Sequence, residues 1–423
     1  MKTKFTIVIV LAVVAGLTAS LATLNEISSD FTTYDVIPKM DSAEADSPKT
    51  HKIKMAAVQL HNNTAHEGSI YAYKMIEHLI ESPSKEKGNN QIQNITDRYS
   101  THATIPGPTL VIDEGDLVEI TLYNHIGHDH MTAGCVSLHS HGVHYDIESD
   151  GTVALINGVE NECATHGSPY TYTWKASKGK SGTWPYHDHT LGLDATGHQH
   201  EMTVSSLESF ELPHGSSMHG SSSKGLFGAL IINPKDPKVP AQIDGTIKSV
   251  SLKDIEKEII LYMIGTRFYG MEIDNSDYSQ KPLWENPHII AKLNDKVRFH
   301  VITLGTSSDA FHKMASEEYP PMTPSHPHPA GHAPEEFHTF HIHGHSWLEQ
   351  GTNRILDTRT SGPAESTQFV IKAGESVGTG DWMYHCHVFH HMTSGMWGKF
   401  TVSNQGGPSE AGYGWHEMMM HHG

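Results

Sequence analysis

The fold is decided by the stretch IPGPTLVIDEGDLVEITL, residues 105–122. Two short runs within it have the alternation of a β-strand, and the acidic turn Glu114-Gly115-Asp116 separates them. A strand points successive side chains to opposite faces, so this alternation indicates one face turned towards a core and one turned away. Short alternating runs divided by tight turns are typical of β-sandwiches.

The second half of the chain repeats this arrangement. The stretch IIAKLNDKVRFHV, residues 289–301, again has a strand-like run, a short Asn-Asp turn and a second strand-like run. Because the same order of elements occurs twice, the sequence predicts two copies of one domain. We expect the run 226–232 to close the first copy and the run 258–263 to open the second.

We therefore predict an all-β protein made of two Greek-key β-sandwich domains. A length of 423 residues is appropriate for two domains of ordinary size. We expect the first domain at residues 51–233, a linker at 234–253 and the second domain at 254–404. Helical periodicity is scarce, and residues 71–80 are the best candidate for a helix.

The charge balance excludes one large class of partner. Asp and Glu total 48 against 29 Lys and Arg, which gives a formal net charge of −19. Binding to nucleic acid requires a clustered basic face, and the sequence has no such cluster, so we expect no nucleic-acid partner. The negative charge favours solubility and attracts cations, metal ions included.

Residues 1–22 have the features of a secretory signal. Lys2 and Lys4 precede an apolar run from Phe5 to Ala22 that ends in small residues. The run is also long enough for an uncleaved membrane anchor, and both alternatives predict an extracytoplasmic protein. Polar segments are expected as a tether at 23–50, as loops at 205–223 and 310–336, and as a His- and Met-rich tail at 405–423.

The cysteines and histidines indicate different chemistries. Cys135 and Cys163 lie in the same predicted domain, where they either form a disulfide or remain two buried thiols. Cys386 is left over, and its neighbours are histidines. The chain contains 35 histidines, several times ordinary usage, and this excess indicates metal binding.

The strongest chemical signal is His385-Cys386-His387, followed by His391 and Met396. In a strand, the two flanking histidines point to one side and the cysteine points to the other. A thiolate, two imidazoles and a weak axial thioether form a blue-copper electron-transfer site. Cys386, His391 and Met396 supply three of these ligands, and the fourth must be a histidine from elsewhere. Metals on the two sides of this strand would be joined through adjacent covalent backbone.

Further His-X-His pairs lie in or beside strand-like runs, at His139/His141, His187/His189 and His341/His343. With so many histidines about three such pairs arise by chance, so a single pair is weak evidence. Together with His385/His387, however, these pairs give eight imidazoles, four from each predicted domain. Eight neutral nitrogen ligands are appropriate for a three-copper cluster that reduces dioxygen.

Four segments resemble the copper-binding motifs of multicopper oxidases. They are HSHG at 139–142, HDH at 187–189, HTFHIHG at 338–344 and the segment 385–396. The chain most resembles the two-domain small laccases, and the likeness extends over most of residues 100–403. The resemblance implies cupredoxin-like domains, copper as the cofactor and an oxidase that uses dioxygen as its electron acceptor.

Matched motif to motif, the resemblance implies a role for each ligand. His338 becomes the missing ligand of the type 1 copper, beside Cys386, His391 and Met396. The type 2 copper is matched by His139 and His341. The type 3 pair is matched by His141, His187, His189, His343, His385 and His387. The family pattern therefore implies four coppers per chain: one type 1, one type 2 and two type 3.

One departure from the family pattern concerns the first domain. Some two-domain relatives have a cysteine between the two histidines of the second motif, where this chain has Asp188. The resemblance then implies a single mononuclear copper, in the second domain. It also implies a homotrimer with the three-copper cluster between the first domain of one subunit and the second domain of the next, an arrangement that ring closure produces by symmetry. An interface within one chain is the alternative.

Tyr145, Asp150 and Asp357 match positions near the cluster in small laccases, where they would orient imidazoles and supply protons. The alternative is that they are ordinary surface or turn residues. The leading hypothesis for function is one-electron oxidation of a small reductant coupled to reduction of dioxygen to water. The reductant is a phenol, cuprous ion or a small inorganic nitrogen compound. The alternatives are a copper nitrite reductase, whose family keeps its blue copper in the first domain, and a copper-sequestering protein without turnover.

Overall fold

The computed structural model describes residues 48–61, 70–84, 90–126, 135–152, 162–189, 225–305 and 337–410. The expected signal at 1–22 and most of the tether lie outside the described residues, as do the segments 205–223, 310–336 and 411–423. Nearly all regular structure within the described ranges is β-strand, with one short α-helix. The all-β prediction is therefore confirmed.

The strands follow each other along the chain in two similar series. The first series is β1 (Thr50–His61), β2 (Ile70–Ser82), β3 (Gln91–Asn94), β4 (Leu110–Asp113), β5 (Leu117–His125), β6 (Cys135–Val136), β7 (His139–Ser140), β8 (Ala164–Thr165), β9 (Tyr170–Lys175), β10 (Gly182–His187) and β11 (Phe227–Asn233). A hairpin follows, made of β12 (Lys238–Ile243) and β13 (Thr246–Ser251).

The second series is β14 (Lys257–Ile264), β15 (Arg267–Ile273), β16 (Gln280–Glu285), β17 (His288–Lys292), β18 (Lys296–Gly305), β19 (His338–Ile342), β20 (Trp347–Leu348), β21 (Ile355–Leu356), β22 (Thr358–Ser361), β23 (Ser366–Lys372), β24 (Gly380–Cys386) and β25 (Trp397–Ser403). The helix α1 spans Phe389–Thr393, and short 3-10 turns occur at Thr96–Arg98, Ile147–Ser149 and Leu252–Asp254.

Each sandwich consists of two sheets, and the order of equivalent strands is the same in both sandwiches, with β22 as an additional edge strand in the second. The first sheet has the order β3-β2-β1-β5-β9 in the first sandwich and β16-β15-β14-β18-β23 in the second. The second sheet has the order β4-β11-β10-β7 in the first sandwich and β17-β25-β24-β19-β22 in the second. The internal repeat predicted from the sequence is thus present in the topology.

The stretch 105–122 connects the two sheets of the first sandwich. Its first run is β4, which pairs with β11, and its second run is β5, which pairs with β1 and β9. Gly115 in the intervening turn has φ +105, a conformation that favours glycine. At the corresponding turn between β17 and β18, Asn294 has φ +75, and Asn tolerates this region better than most residues. The turns between sheets are therefore encoded locally.

Apolar side chains fill the space between the sheets of each sandwich. The first core contains Ile53, Met55, Leu110, Ile120, Trp174, Tyr186 and Leu230 among others, and the second contains Ile259, Phe299, Phe340, Trp347, Phe369, Tyr384 and Phe400 among others. A third apolar cluster joins the sandwiches, because β11 of the first packs against β14 and β15 of the second. The two sandwiches therefore share a buried face.

The helix predicted at residues 71–80 is wrong, since this segment is strand β2. It pairs antiparallel with β1 from Thr50 opposite Glu81 onwards. Tyr71, Tyr73 and Met75 are all buried in the first core, which is the i, i+2 spacing of a strand. Pairing with β1, together with this apolar face, outweighs the local helical pattern.

The segment expected to be a linker, residues 234–253, contains the hairpin β12–β13. Val239, Ala241 and Ile243 alternate along β12, and they pack with Val250 against Val370 of the second sandwich. The connection between the sandwiches is therefore packed against the second one rather than extended through solvent.

Two further sequence expectations concern the cysteines and the membrane. Cys163 is disulfide-bonded, whereas Cys386 is a free, buried thiol. The side chain of Cys135, the expected partner of Cys163, is not among those described, although its backbone pairs with Thr165. In the described part of the chain, no helix has the length and apolar character needed to cross a bilayer.

Candidate metal centre

Strand β24 ends at Cys386, within the motif His385-Cys386-His387. It lies between β19 and β25, with Cys386 opposite Phe340 and His385 opposite His341. Cys386 is fully buried in the core of the second sandwich. His385 is also buried, but its ring contacts those of His341, His343 and His387 instead. The strand thus sends the sulfur and the imidazoles to different sides, as its periodicity predicts.

The first cluster consists of His338, Cys386 and His391, which we name the thiolate cluster. Cys386 Sγ lies 3.8 Å from His338 Nδ1 and 3.5 Å from His391 Nδ1. The three ligand atoms lie within 4.8 Å of one another, and all three residues are buried. The backbone N–H of Thr339 also donates to Cys386 Sγ, at 3.4 Å. His338, whose position relative to Cys386 was implied only by the family resemblance, therefore lies beside the sulfur.

Met396, the residue before β25, belongs to the same buried core as Cys386. Its side chain is fully buried, and its carbonyl accepts a hydrogen bond from the N–H of Cys386 at 3.1 Å. Its own N–H donates to the carbonyl of His391 at 2.9 Å. Burial lowers the pKa of His338 to about 4, so this imidazole is neutral and has a lone pair for a metal.

The second cluster consists of four histidines of the second sandwich, His341, His343, His385 and His387. The nitrogen ligands of His341, His343 and His385 lie within 4.8 Å of one another. His343 Nε2 and His385 Nε2 are 3.2 Å apart, and the ring of His387 is centred 5.1 Å from that of His385. His341 Nδ1 donates to the carbonyl of Asp357 at 2.7 Å, and His385 Nδ1 donates to the carbonyl of Cys386 at 3.0 Å. These bonds leave each Nε2 free to bind a metal.

The third cluster is its counterpart in the first sandwich, formed by His139, His141, His187 and His189. The ring of His139 is centred between 5.1 and 5.6 Å from the other three rings. His141 Nε2 and His187 Nε2 are 3.4 Å apart. Burial, with the neighbouring imidazoles, lowers the pKa of His141 to about 4; burial lowers that of His187 to about 3. These rings are neutral at physiological pH, as metal ligands must be.

The orientation of the third cluster repeats that of the second. His139 Nδ1 donates to the carbonyl of Asp150 at 2.6 Å, as His341 does to Asp357. His187 Nδ1 donates to the carbonyl of Asp188 at 2.9 Å, as His385 does to Cys386. Within the described ranges, no hydrogen bond or ring contact joins the histidines of the second cluster to those of the third. Each sandwich therefore holds one set of four histidines.

The three acidic or phenolic residues expected near the cluster have different positions. Tyr145 is centred 6.0 Å from the ring of His139. Burial, together with the charge of Asp150 and a hydrogen bond to it, raises the pKa of Tyr145 to about 12. Asp150 and Asp357 each accept a hydrogen bond from their histidine through the backbone carbonyl, and an Asp150 carboxylate oxygen also lies 3.6 Å from His139 Nδ1.

Sequence reasoning missed His345 and Thr339. His345 is buried; its Nδ1 donates to the carbonyl of His343 at 2.9 Å, and its Nε2 accepts from the N–H of Gly374 at 2.9 Å. It therefore fixes the segment that carries His343. The signal was available for His345, which continues the i, i+2 spacing after His343. Thr339 acts through its backbone, and no sequence signal identifies such a residue.

Comparison with known proteins places these clusters in a family context. Residues 88–209, which include the third cluster, match the family model described as multicopper oxidase. A probable nitrite reductase–hydroxylamine oxidoreductase fusion protein of Kuenenia stuttgartiensis is 28% identical over 315 residues, which is 71% of this chain and 28% of that protein. Ferroxidase HEPHL1 of Mus musculus is 22% identical over 351 residues, 75% of this chain and 26% of that protein. The chain thus spans about a quarter of the length of these curated relatives.

Two solved structures are similar to this chain at lower identity. A multicopper oxidase crystal structure is 20% identical, with 84% of this chain and 90% of that chain covered and a TM-score of 0.46. A copper nitrite reductase from Nitrosomonas europaea is 16% identical, with 86% and 98% covered and a TM-score of 0.46.

The resemblance to the multicopper oxidases is confirmed by the family match over residues 88–209, which contain the first two of the four histidine motifs. The two sandwich domains described above are also the arrangement expected of the two-domain, small laccase-like type. The family match and the His and Cys clusters together indicate copper as the metal.

Proposed function

We propose that this protein is a copper-dependent oxidase that takes single electrons from a small reductant and reduces dioxygen to water. One observation carries the proposal. Strand β24 presents Cys386 to the thiolate cluster while the adjacent His385 belongs to a four-histidine cluster on the other side of the strand. An electron-transfer centre and an oxygen-reducing centre held by neighbouring residues are the requirement of such an oxidase.

The donor chemistry fits copper at each cluster. In the thiolate cluster, His338, Cys386, His391 and Met396 would hold the mononuclear type 1 copper. His139 and His341 would hold the type 2 copper, and the other six histidines the type 3 pair. Bound copper would supply reversible one-electron chemistry at the thiolate cluster and the chemistry of dioxygen reduction at the histidine clusters. This assignment gives four coppers per chain.

The chain's own groups prepare these positions. Burial keeps water from Cys386, and the N–H of Thr339 stabilises its thiolate form. The backbone from Cys386 to His385 is the shortest covalent path between the two centres. The bond from His385 Nδ1 to the carbonyl of Cys386 adds a second connection over the same residues. In the first sandwich, Tyr145 holds a proton on its hydroxyl next to the carboxylate of Asp150, from which it can be passed towards reduced oxygen.

The oxygen-reducing centre is proposed to form between subunits of a homotrimer. Each sandwich contributes only four histidines, and no contact joins the two sets among the described residues. Three coppers need ligands from both sets. A cyclic assembly brings the first sandwich of one chain against the second sandwich of the next at each interface, so a ring of three closes every site.

The reductant is proposed to be a phenol, cuprous ion or a small inorganic nitrogen compound, in an extracytoplasmic compartment. A Met-ligated blue copper has a moderate potential and favours easily oxidised donors. The net charge of −19 favours cationic donors. The cysteine usage supports the location, because Cys163 is disulfide-bonded and disulfides persist in oxidising compartments.

Nitrite reduction is the second candidate, because the Kuenenia relative is named in part as a nitrite reductase. The first sandwich lacks a feature that nitrite reduction by this type of enzyme requires. Nitrite reductases of the two-cupredoxin type have their blue copper there, and this chain has Asp188 where a cysteine ligand would lie.

Oxygen uptake by the copper-loaded protein tests the proposal against a panel of phenols, cuprous ion and hydroxylamine. We expect uptake with at least one donor, and loss of both uptake and blue absorption in Cys386→Ser. The matched control is Asp188→Ser, at the corresponding position of the first sandwich, which should keep both. Nitrite consumption without oxygen would favour the second candidate. Copper retained by wild type and by Cys386→Ser, without turnover of any donor by either, would favour sequestration.

A further inference from the structure

Four buried titratable side chains in the first sandwich are joined end to end and have no part in the mechanism above. Tyr99 Oη lies 2.7 Å from His78 Nδ1, and His78 Nε2 lies 2.9 Å from His51 Nδ1. His51 Nε2 lies 3.1 Å from Asp116 Oδ2. The exposed fractions of Tyr99, His78, His51 and Asp116 are 8%, 0%, 3% and 4%. The four residues come from separate segments, so the fold assembles the row.

Each hydrogen bond in this row is donated in the direction of Asp116. Asp116 is an acceptor, and its carboxylate also receives the backbone N–H groups of Lys49 and Asp113. Burial alone would raise the pKa of Asp116, but the hydrogen bonds from His51 and these N–H groups lower it below its usual value. With neutral imidazoles, His51 then donates from Nε2 and accepts at Nδ1. His78 in turn donates to His51 and accepts the hydroxyl proton of Tyr99.

The surroundings keep the row in this state. Burial lowers the pKa of His78 to about 3, with smaller contributions from His51 and the nearby Arg98. Burial raises the pKa of the Tyr99 hydroxyl, and Arg98 opposes this shift only in part. We assign the row at rest as a phenol, two neutral imidazoles and one carboxylate.

We propose that Tyr99 is a redox-active tyrosine whose oxidation moves one proton along this row to Asp116. Tyr99 loses one electron, and its hydroxyl proton passes to His78 Nδ1. His78 gives its Nε2 proton to His51 Nδ1, and His51 gives its Nε2 proton to the carboxylate of Asp116. The products are a neutral phenoxyl radical on Tyr99, two neutral imidazoles and a carboxylic acid. The charge of the row changes from −1 to zero, which matches the one electron removed.

The proton acceptor distinguishes Tyr99 from other buried tyrosines. The hydroxyls of Tyr73, Tyr172, Tyr186 and Tyr384 donate to backbone carbonyls, which do not take up protons. Oxidising such a phenol leaves a buried positive charge, and an unpaired buried charge is strongly unfavourable. Tyr99 avoids that charge, because its proton leaves with the electron.

The oxidant is the oxygen-reducing copper centre, so this role rests on the proposed function. Tyr73 and Tyr186 belong to the same buried cluster as Tyr99, and their ring centroids are 5.7 Å apart. The hydroxyl of Tyr73 donates to the carbonyl of Ser137, two residues before His139. Tyr99 itself lines a small cleft between the sandwiches, with His102 and Gln280, so a reductant in the solvent would return the electron from this side. The row thereby discharges oxidising equivalents that would otherwise damage the core.

Flash oxidation of the full-length protein by an external ruthenium(III) complex tests the proposal, with electron paramagnetic resonance as the readout. The external oxidant makes the result independent of copper turnover. The chain has 15 tyrosines, so the signal must be assigned by variants. We expect a tyrosyl radical in wild type that is lost in Tyr99→Phe. It should persist in Tyr172→Phe, where an equally buried hydroxyl bonds a carbonyl.

The proton relay has its own test in Asp116→Asn, which keeps the shape of the side chain but removes the basic acceptor. Loss of a positioned proton acceptor slows such a step by about 10²-fold or more. We expect the radical to form more slowly by that factor, while the circular dichroism and copper content stay those of wild type. An unchanged radical in Tyr99→Phe, or an unchanged rate in Asp116→Asn, would overturn the proposal. A protein without oxygen uptake that still forms this radical would contradict the proposed function and support the relay.

Discussion

The two sandwiches share one topology, yet among the described residues only the second presents the side chains of a blue-copper site. In the second sandwich, the N–H of Thr339 donates to Cys386 Sγ, and the N–H of Cys386 donates to the carbonyl of Met396. In the first sandwich, the N–H of Ser137 donates to Asp188 Oδ1, and the N–H of Asp188 donates to the carbonyl of Leu226. The backbone framework is therefore the same around both positions.

The side chains on this framework differ at each ligand position that the described residues allow us to compare. Asp188 lies where Cys386 lies, Leu226 lies where Met396 lies, and Val136 precedes Ser137 as His338 precedes Thr339. An acidic side chain satisfied by a backbone N–H and two apolar side chains do not form a soft metal site. The fold therefore supplies the same backbone framework in both sandwiches, and the side chains at these three positions determine whether that framework can bind copper.

A second difference concerns the outer face of the first sheet. In the first sandwich this face carries Lys52 and Glu119 on β1 and β5, where Lys52 is exposed and Glu119 partly exposed. In the second sandwich the equivalent face carries Glu258, Arg298 and His300, all buried against the first sandwich. His300 Nδ1 hydrogen-bonds Thr183 Oγ1 at 2.5 Å across the boundary. One sheet position is thus surface in one copy and interface in the other.

The largest effect is expected from separating the two histidine sets. His141→Ala and His343→Ala remove equivalent ligands from the first and second sandwich, and each should abolish oxygen uptake on its own. Co-expressed, the two variants should recover about a third of the wild-type rate in mixed trimers, because one of the three interfaces in each mixed trimer then pairs two unaltered histidine sets. Mixed assemblies would be isolated with two affinity tags and assayed for oxygen uptake. Assemblies of both variants that remain inactive would show that the two sets meet within one chain.

The next largest effect is expected on stability, at the buried interface between the two sandwiches. Arg298→Met leaves the buried carboxylate of Glu258 without the guanidinium that lies 3.3 Å from it. Breaking a buried pair in this way costs about 3–5 kcal/mol of the free energy of unfolding. Denaturant unfolding at neutral pH measures the loss. Glu119→Met, at the equivalent, partly exposed position of the first sandwich, is the control and should change stability by no more than about 0.5 kcal/mol.

The same pair predicts a dependence on pH. Burial opposes ionisation of Glu258, but Arg298 and His300 outweigh it and lower the pKa of Glu258 from 4.5 to about 2. A carboxyl with a lowered folded-state pKa stabilises the protein above its unfolded pKa and loses this contribution as pH falls. Wild type should therefore lose stability on the order of 3 kcal/mol through this group between pH 4.5 and 2. A deficit of Arg298→Met that stays constant over this range would contradict the assignment.

The fold and the candidate site differ in how much of each could be predicted from the sequence. The strands at 110–113 and 117–125 and their copies at 288–292 and 296–305 were predictable, because alternation and turn residues are local. The strand at 70–82 was not, since its apolar face is defined by pairing with β1. The buried row from Tyr99 to Asp116 and the network around Arg298 depend on contacts between distant segments, and no local pattern encodes them.

The candidate site was predictable in its residue types and less so in its contacts. Strand periodicity alone separated Cys386 from His385 and His387. Placing His338 beside Cys386, 48 residues away in sequence, required the family resemblance. Asp150 and Asp357 were expected near the histidines, but it is their carbonyls that hold His139 and His341. A carbonyl belongs to every residue, so sequence cannot single it out.

A smaller effect is expected at the position where the first sandwich lacks its thiolate. Asp188→Ala leaves the buried N–H of Ser137 without its 2.7 Å acceptor. An unsatisfied buried donor costs about 1–3 kcal/mol, whereas Asp188→Asn keeps an acceptor oxygen and should cost less. Thermal unfolding compares the two variants. Both should retain blue absorption, and loss of the blue band in either would contradict a copper site confined to the second sandwich.

The smallest effect is expected from giving the second sandwich the residue of the first at one position. Met396→Leu reproduces Leu226 at the equivalent place, next to the same backbone hydrogen bond. The thioether stabilises oxidised copper more than reduced copper, so its replacement by an alkyl group should raise the reduction potential of the blue centre. We expect a rise of about 60 mV or more, which corresponds to a tenfold change in a one-electron equilibrium. Spectroelectrochemical titration of the blue band measures the shift, and Leu226→Met is the matched control that should leave the potential unchanged. An unchanged potential in Met396→Leu would show that Met396 is not an axial ligand, and the difference between the two sandwiches would then depend on the thiolate and the imidazoles alone.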